Sequence, residues 1–256
     1  MLLYLLAVVA ATLFLDILRS ALGLRRIAKL FKNHYATNKN TEVKTYGTGK
    51  DFHLVIMGDS TFDVRGDTKV PYGSAQLFVD RLAALYSVNV HLFAKAGAKS
   101  YDVAASQLPK LKALPKVDLV VIYMGANNAV YFKNPFTIGE DYQAILAYTE
   151  SKSIPVAASQ VANYWSFNLF SWVQRAWLYM AIYIENAYIR QAFKGTRYTS
   201  LVALKPIHKE IHKKRREEPY LLDGFHPNDA ACITFGTIFV QEALKHPAIA
   251  TLFKQK

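Results

Sequence analysis

Cysteine is nearly absent from this sequence: Cys232 stands alone among 256 residues, so no disulfide forms within the chain. It lies in an apolar helical pattern and is expected as a small buried residue. Charge is scarce as well, at 20%, and acidic residues number only 19 against 31 basic ones, leaving a formal net charge of +12. With 52% hydrophobic residues, this composition excludes a disordered chain and calls for a large core. Also missing is a glycine loop built for phosphate. Gly47-Thr48-Gly49-Lys50 runs into Asp51 where a Ser or Thr is required, and no glycine-rich turn of the dinucleotide-binding type follows a strand. The zinc-protease pairing is incomplete: His208 and His212 have i, i+4 spacing, but Lys209 stands where that signature needs a glutamate. No metal and no organic cofactor is implied. Basic residues gather after the N-terminal apolar run and in Lys209 to Arg216, without a nucleic-acid module. No nucleic-acid partner is therefore expected, and the excess suits either an anionic lipid surface or a plain solvated face.

A long uninterrupted apolar run is lacking too. Met1 to Leu15 is apolar except for Tyr4 and Thr12, and Asp16 and Arg19 intervene before Leu24 and Arg25-Arg26. A full bilayer span takes roughly 20 apolar residues, so spanning requires Asp16 and Arg19 near the interface. The alternative is a helix in the membrane plane with those two residues on its wet face. Residues 1–26 are thus expected as a hydrophobic membrane anchor, retained because they lack the basic start and cleavage site of a signal peptide. Arg19, Arg25, Arg26, Lys29 and Lys32 all follow the apolar run. The positive-inside bias then puts the following domain in the cytoplasm, with an exported orientation open to a long translocated domain. Residues 27–50 read as a basic and polar linker, and the folded domain is expected over 51–256.

Within that domain, short β-rich runs predict five buried strands at 53–57, 88–93, 117–123, 154–159 and 199–204. Helical patterns lie at about 71–86, 101–112, 137–152, within 164–194, and 228–245. Such alternation implies an α/β fold with a parallel sheet covered on both faces. Ligands of such sheets bind beyond the carboxyl ends of the strands. There the informative residues cluster: Gly58-Asp59-Ser60 closes the first strand, Ala96-Gly97-Ala98 follows the second, and Gly125-Ala126-Asn127-Asn128 follows the third. A serine nucleophile needs a base held by a third group. Asp223-Gly224-Phe225-His226 supplies a carboxylate three residues before a histidine, so one loop offers both.

These four blocks, in this order from Gly58 to His226, resemble the SGNH (GDSL-type) hydrolase family of esterases and lipases. One position departs from the pattern: Asn128 stands where the family's third block has an aspartate. The resemblance implies a three-layer α/β/α, flavodoxin-like fold with a central parallel sheet of about five strands, to which the N-terminal membrane helix is added. It also implies Ser60, Asp223 and His226 as the catalytic triad. The oxyanion hole would comprise the backbone N–H groups of Ser60 and Gly97 and the side-chain amide of Asn127. A carboxylic ester or thioester is the implied substrate, and the apolar N-terminus and basic surface favour a lipid-like acyl group. Acyl transfer by the same site, or a membrane-attached binding protein without turnover, are the other readings.

The stretch from Asn163 to Tyr183 holds all three tryptophans, Trp165, Trp172 and Trp177. It reads either as an aromatic platform touching lipid or as a helix packed on the sheet. Gln174, Arg175 and Glu185 interrupt it and exclude a second membrane span.

Overall fold

The computed structural model describes residues 2–35, 43–63, 70–162, 170–203 and 227–254. Alternating strands and helices build one twisted sheet. Strand β1 spans Lys44–Tyr46, β2 Asp51–Gly58, β3 Ser87–Leu92, β4 Leu119–Tyr123, β5 Val156–Ser159 and β6 Thr199–Val202. Their spatial order is β1-β3-β2-β4-β5-β6. From β3 to β6 every pairing is parallel, with Leu54 beside both Val90 and Leu119. The sheet differs from the expected five parallel strands in one respect. It has a sixth strand, β1, which runs antiparallel to β3 with Lys44 opposite Val90. Three residues in a polar stretch carry no periodicity, and β1 forms because the exposed edge of β3 offers it unpaired N–H and C=O groups.

Helix α1 covers Leu2–Tyr35 and α2 Gln76–Ala83; α3 (Ser100–Asp102) runs through a π-helical stretch, Val103–Gln107, into α4 (Leu108–Ala113). Then come α5 (Ala126–Val130), α6 (Ile138–Ser151), α7 (Trp172–Ala192), α8 (Asp229–Ala243) and α9 (Pro247–Ala250). The five expected strands and the helical patterns after 71 each correspond to one of these elements. The centre of β2 is buried throughout from Leu54 to Gly58, and all of β4 is buried, as continuous apolar runs in a two-faced parallel sheet require. On one side α8 brings Phe239 edge-on to Phe78 of α2, with ring centroids 5.1 Å apart. Cys232 is buried on α8.

Helix α7 reconciles the two readings of the aromatic stretch. Its Leu178, Ala181, Ile182 and Ile189 are buried in the core, while Trp172, Tyr179, Met180 and Tyr183 are exposed. Ser171 caps it: the hydroxyl accepts from the Gln174 N–H, and the Gln174 side chain accepts from the Ser171 N–H, a capping box. Trp165 lies outside the described residues. The N-terminal segment is helical as expected. However, among the described residues no helix is long and apolar enough to cross a membrane, so the structure gives no support to the spanning form of the anchor.

Candidate active site

Ser60 sits in the turn that leaves β2, the central strand of the three that carry the motif residues. The turn is built by Asp59. Its carbonyl accepts the N–H groups of Phe62 and Asp63, and its Oδ1 accepts the Thr61 N–H at 2.9 Å. Just before it, Gly58 has φ 140°, and a Cβ there would come within 2.0 Å of the Tyr123 carbonyl oxygen on β4. Only glycine permits that approach. The Gly58 peptide is gripped from the other side by Gln107. Its Oε1 accepts the Gly58 N–H and its Nε2 donates to the Gly58 carbonyl, both at 2.8 Å. Gln107 closes the π-helical stretch, a helix form often found at functional sites because it re-aims a side chain.

The flanking strands deliver the other two motif residues. Gly97 lies beyond β3 with φ 76°, and among the described residues nothing approaches within 4 Å of where its side chain would be. Asn127 lies in the first turn of α5, after Gly125 enters that helix with φ 118°. Hydrogen bonds hold the three strand ends in a row. The Ala96 N–H donates to Asp63 Oδ2 at 2.6 Å, and Asn127 Nδ2 donates to the Ala98 carbonyl at 3.0 Å. A primary amide has two hydrogens, and Ala98 takes one of them. Further back, Ser100 N–H donates to Asn128 Oδ1 at 2.9 Å and Asn128 Nδ2 donates to Ser100 Oγ at 2.7 Å. Ser100 Oγ in turn donates to Asp141 Oδ2. Ser60, Gly97 and Asn127 therefore meet at one sheet edge. Asp223 and His226 lie outside the described residues, as do His208, His212 and the basic run Lys209 to Arg216.

Beneath this edge lies a layer of buried acids. Burial pushes Asp59 up to about 6 against the opposing pull of the Thr61 N–H, and among the described residues its Oδ2 has no partner. Burial pushes Glu185 of α7 to about 9. Among the described residues neither of its oxygens has a hydrogen-bond partner, and one lies 3.5 Å from where a Gly125 side chain would begin. Glu185 is thus uncharged at neutral pH, as an unpaired carboxyl in a dry interior must be. Tyr142, buried nearby, has its acidity suppressed by burial, with the Met124 backbone opposing that shift. Burial raises Asp141 too, the Ser100 hydroxyl partly offsetting this and Glu140 and Asp102 adding to it.

Several of these residues escaped the sequence reading. Gln107 and Asp141 sit inside helical patterns with nothing to mark them. Glu185 registered only as an interruption of an apolar run. Ser100 had one signal, the departure at Asn128, with which it shares two hydrogen bonds.

The wall beside Gly97 and Asn127 is aromatic. The Lys99 ammonium lies 5.2 Å from the Tyr131 ring and 5.7 Å from Tyr101. Phe132, held at φ 53°, stacks on Trp177 at 5.5 Å. Trp177 Nε1 donates to the Ala129 carbonyl, so this ledge is fixed to α5.

The fold is shared with solved esterases. The psychrotrophic esterase EstA from Pseudoalteromonas sp., in a form inhibited by monoethylphosphonate, superposes with a TM-score of 0.57 at 15% identity, covering 75% of this chain and 97% of its own. TesA matches with a TM-score of 0.54 at 22% identity over 75% of this chain and 98% of its own. The acetyl xylan esterase AlAXEase gives 0.57 at 16% identity over 74% and 98%. No curated protein sequence matches the chain. The model of the GDSL-like lipase/acylhydrolase family matches residues 56–231, from within β2 to the first turn of α8. The chain belongs to that family and is a carboxylic ester hydrolase.

Proposed function

We propose that the protein cleaves carboxylic esters or thioesters of a lipid-like acyl group at a membrane surface, with Ser60 as nucleophile, His226 as base and Asp223 as its orienting acid. Ser60 attacks the carbonyl while His226 takes its proton and later returns it to the leaving group. Asp223 holds the imidazole and favours its charged form. The negative charge on the carbonyl oxygen is met by the N–H groups of Ser60 and Gly97 and by the second amide hydrogen of Asn127. Donors of this kind are each worth on the order of 3 kcal/mol. Water completes the second half-reaction.

The observation that carries the reading is the row of three strand ends, β3-β2-β4, bearing Gly97, Ser60 and Asn127 and tied by Asn127 to the Ala98 carbonyl. The histidine loop has a fitting approach. Helix α8 begins three residues after His226, and its Phe235 packs edge-on against Tyr123 at the carboxyl end of β4, 5.9 Å between centroids.

The membrane part rests on α1 and α7. Along α1, Leu6, Val8, Val9, Phe14, Leu15, Ile17, Leu18 and Leu22 are exposed. Its half-buried Asp16 accepts the Trp172 N–H at the start of α7. The exposed aromatics of α7 continue this apolar surface, and a helix lying in the interface plane accounts for it. Arg19 and Arg25 on α1, with the overall charge of +12, suit the anionic cytoplasmic leaflet.

The test is labelling with a fluorophosphonate probe, the reagent class suggested by the phosphonate-inhibited EstA, on detergent-solubilised full-length protein beside Ser60→Ala and His226→Ala. Ser60-dependent labelling and hydrolysis of p-nitrophenyl esters, improving with acyl length, are expected. Folded protein that neither labels nor hydrolyses would overturn the triad and leave a binding protein; a preference for acetyl esters would overturn the lipid-like substrate.

A further inference from the structure

Two motif loops must keep a fixed separation if Gly97 and Asn127 are to aim donors at one oxygen atom. Gly97 belongs to the loop that ends in Ser100, and Asn127 is followed by Asn128 in α5. Ser100 and Asn128 are both fully buried, and the two hydrogen bonds between them join these loops directly. Donor accounting shows what sets the direction of that pair. Ser100 Oγ has one proton and gives it to Asp141 Oδ2, at 2.5 Å. A hydroxyl whose proton is spent can only accept from its other neighbour. The Ser100 N–H can only donate, so it fixes Asn128 Oδ1 toward itself and the NH2 toward Ser100 Oγ, and the oxygen that receives that NH2 is free to accept because its proton goes to Asp141. A carboxylate on α6, outside every motif, thus completes the second of the two bonds that lock the oxyanion loops, by drawing the Ser100 proton away from the Asn128 NH2.

We infer that Asp141, acting through Ser100 and Asn128, is the positioning residue that fixes the loop of Gly97 against the helix of Asn127. This rests on the proposed Ser60 chemistry for its effect on turnover, but the lock itself is independent of it. The charged groups around Asp141 are Glu140 on its own helix and Asp102 on α3, and Lys99 pairs with Asp102 at 3.8 Å. No cation in this set neutralises Asp141 in place of the Ser100 proton.

The test moves the carboxylate to the other end of the relay. In Asn128→Asp, two carboxylates compete for the single Ser100 hydroxyl proton. The expected result is a fall in kcat of roughly tenfold with KM nearly unchanged, smaller than the 10²–10³ of deleting an oxyanion donor outright. Asp141→Asn alone weakens the relay but leaves an acceptor, so a fall of about threefold is expected, the difference between a charge-assisted and a neutral hydrogen bond. In the double variant N128D/D141N every donor again has an acceptor, with the chain reversed. Asn at 141 donates to Ser100 Oγ, and Ser100 donates to Asp at 128. The double variant is expected to recover most of the activity lost in Asn128→Asp, whereas a merely structural role predicts additive losses.

Amide hydrogen exchange over residues 97–100 gives a readout without turnover. It should speed up in Asn128→Asp and slow again in the double variant. Additive losses in kcat, or exchange that the second substitution does not restore, would overturn the inference even in an active enzyme. Wild-type protein without hydrolysis, but with the restored exchange, would sink the Ser60 reading and leave the lock standing. Should Asn128→Asp fail to fold, recovery of folding in the double variant is the expected result and its absence the refuting one.

Discussion

Replacing Glu185 with glutamine should stabilise the protein, and by more as the pH rises. Glu185 is completely buried, and among the described residues neither carboxyl oxygen has a hydrogen-bond partner. Burial moves it from an ordinary 4.5 to about 9. Between those values the folded protein holds a proton that the unfolded chain releases. A raised carboxyl of this kind costs nothing below 4.5, and its penalty grows with pH until the folded group itself ionises near 9. The slope is about 1.4 kcal/mol per pH unit. From about pH 5.5 to about pH 7.5, wild-type stability should therefore fall by roughly 3 kcal/mol through this residue alone. Glutamine has nearly the same shape and no proton to lose, so the variant lacks that slope. Every other titrating group is common to both proteins and cancels in the difference. Urea unfolding of both at several pH values gives the quantity directly. The stability gap should widen steadily across this range. A gap independent of pH would mean that Glu185 is solvated or paired in solution, and the account of the buried acid layer would fail.

Other substitutions test the turn that presents Ser60. Gly58→Ala forces a Cβ to within 2.0 Å of a carbonyl oxygen at φ 140° and should cost more than about 2 kcal/mol; an unchanged melting temperature would refute the close approach. Gln107→Leu removes both hydrogen bonds to the Gly58 peptide. It should cost about 2–3 kcal/mol, since buried polar groups lose their partner, and should lower kcat more than it changes KM. Equal stability of the variant in urea would show that the clamp is idle. Full-length protein should sediment with vesicles of anionic phospholipid and less so as salt is raised, because screening weakens the charge term. Retention in the supernatant would argue against the in-plane helix.

The strands were legible because apolar β-branched runs such as Leu54-Val55-Ile56 have no other use in a parallel sheet. Ser60, Gly97 and Asn127 were legible because each lies within a few residues of a strand end, where local spacing and final position coincide. β1 was not, since Lys44-Thr45-Tyr46 has no pattern of its own and is a strand only by virtue of the neighbour it meets. Gln107 and Asp141 act on residues 49 and 41 positions away, and no local rule joins them. Glu185 was read only for what it excludes, a second membrane span, and no described helix is apolar enough to be one. A carboxylate in an apolar run marks the run as unfit for a membrane, but nothing local tells that this one is buried in the core and its pKa raised by burial.

The antiparallel first strand has a consequence for how the molecule is mounted. Lys44 begins β1 opposite Val90, so the chain enters the sheet beside the end of β3 that leads to Gly97. A parallel strand over the same three partners would have entered opposite Val88 instead, two residues of β3 further from that end. The entry to the sheet and the turn that bears Ser60 therefore lie toward the same pole, where β2 and β3 end. Asp16 of α1 accepts the Trp172 N–H where α7 begins, so on the proposed in-plane mounting a surface that captures α1 also takes hold of the molecule at the start of α7.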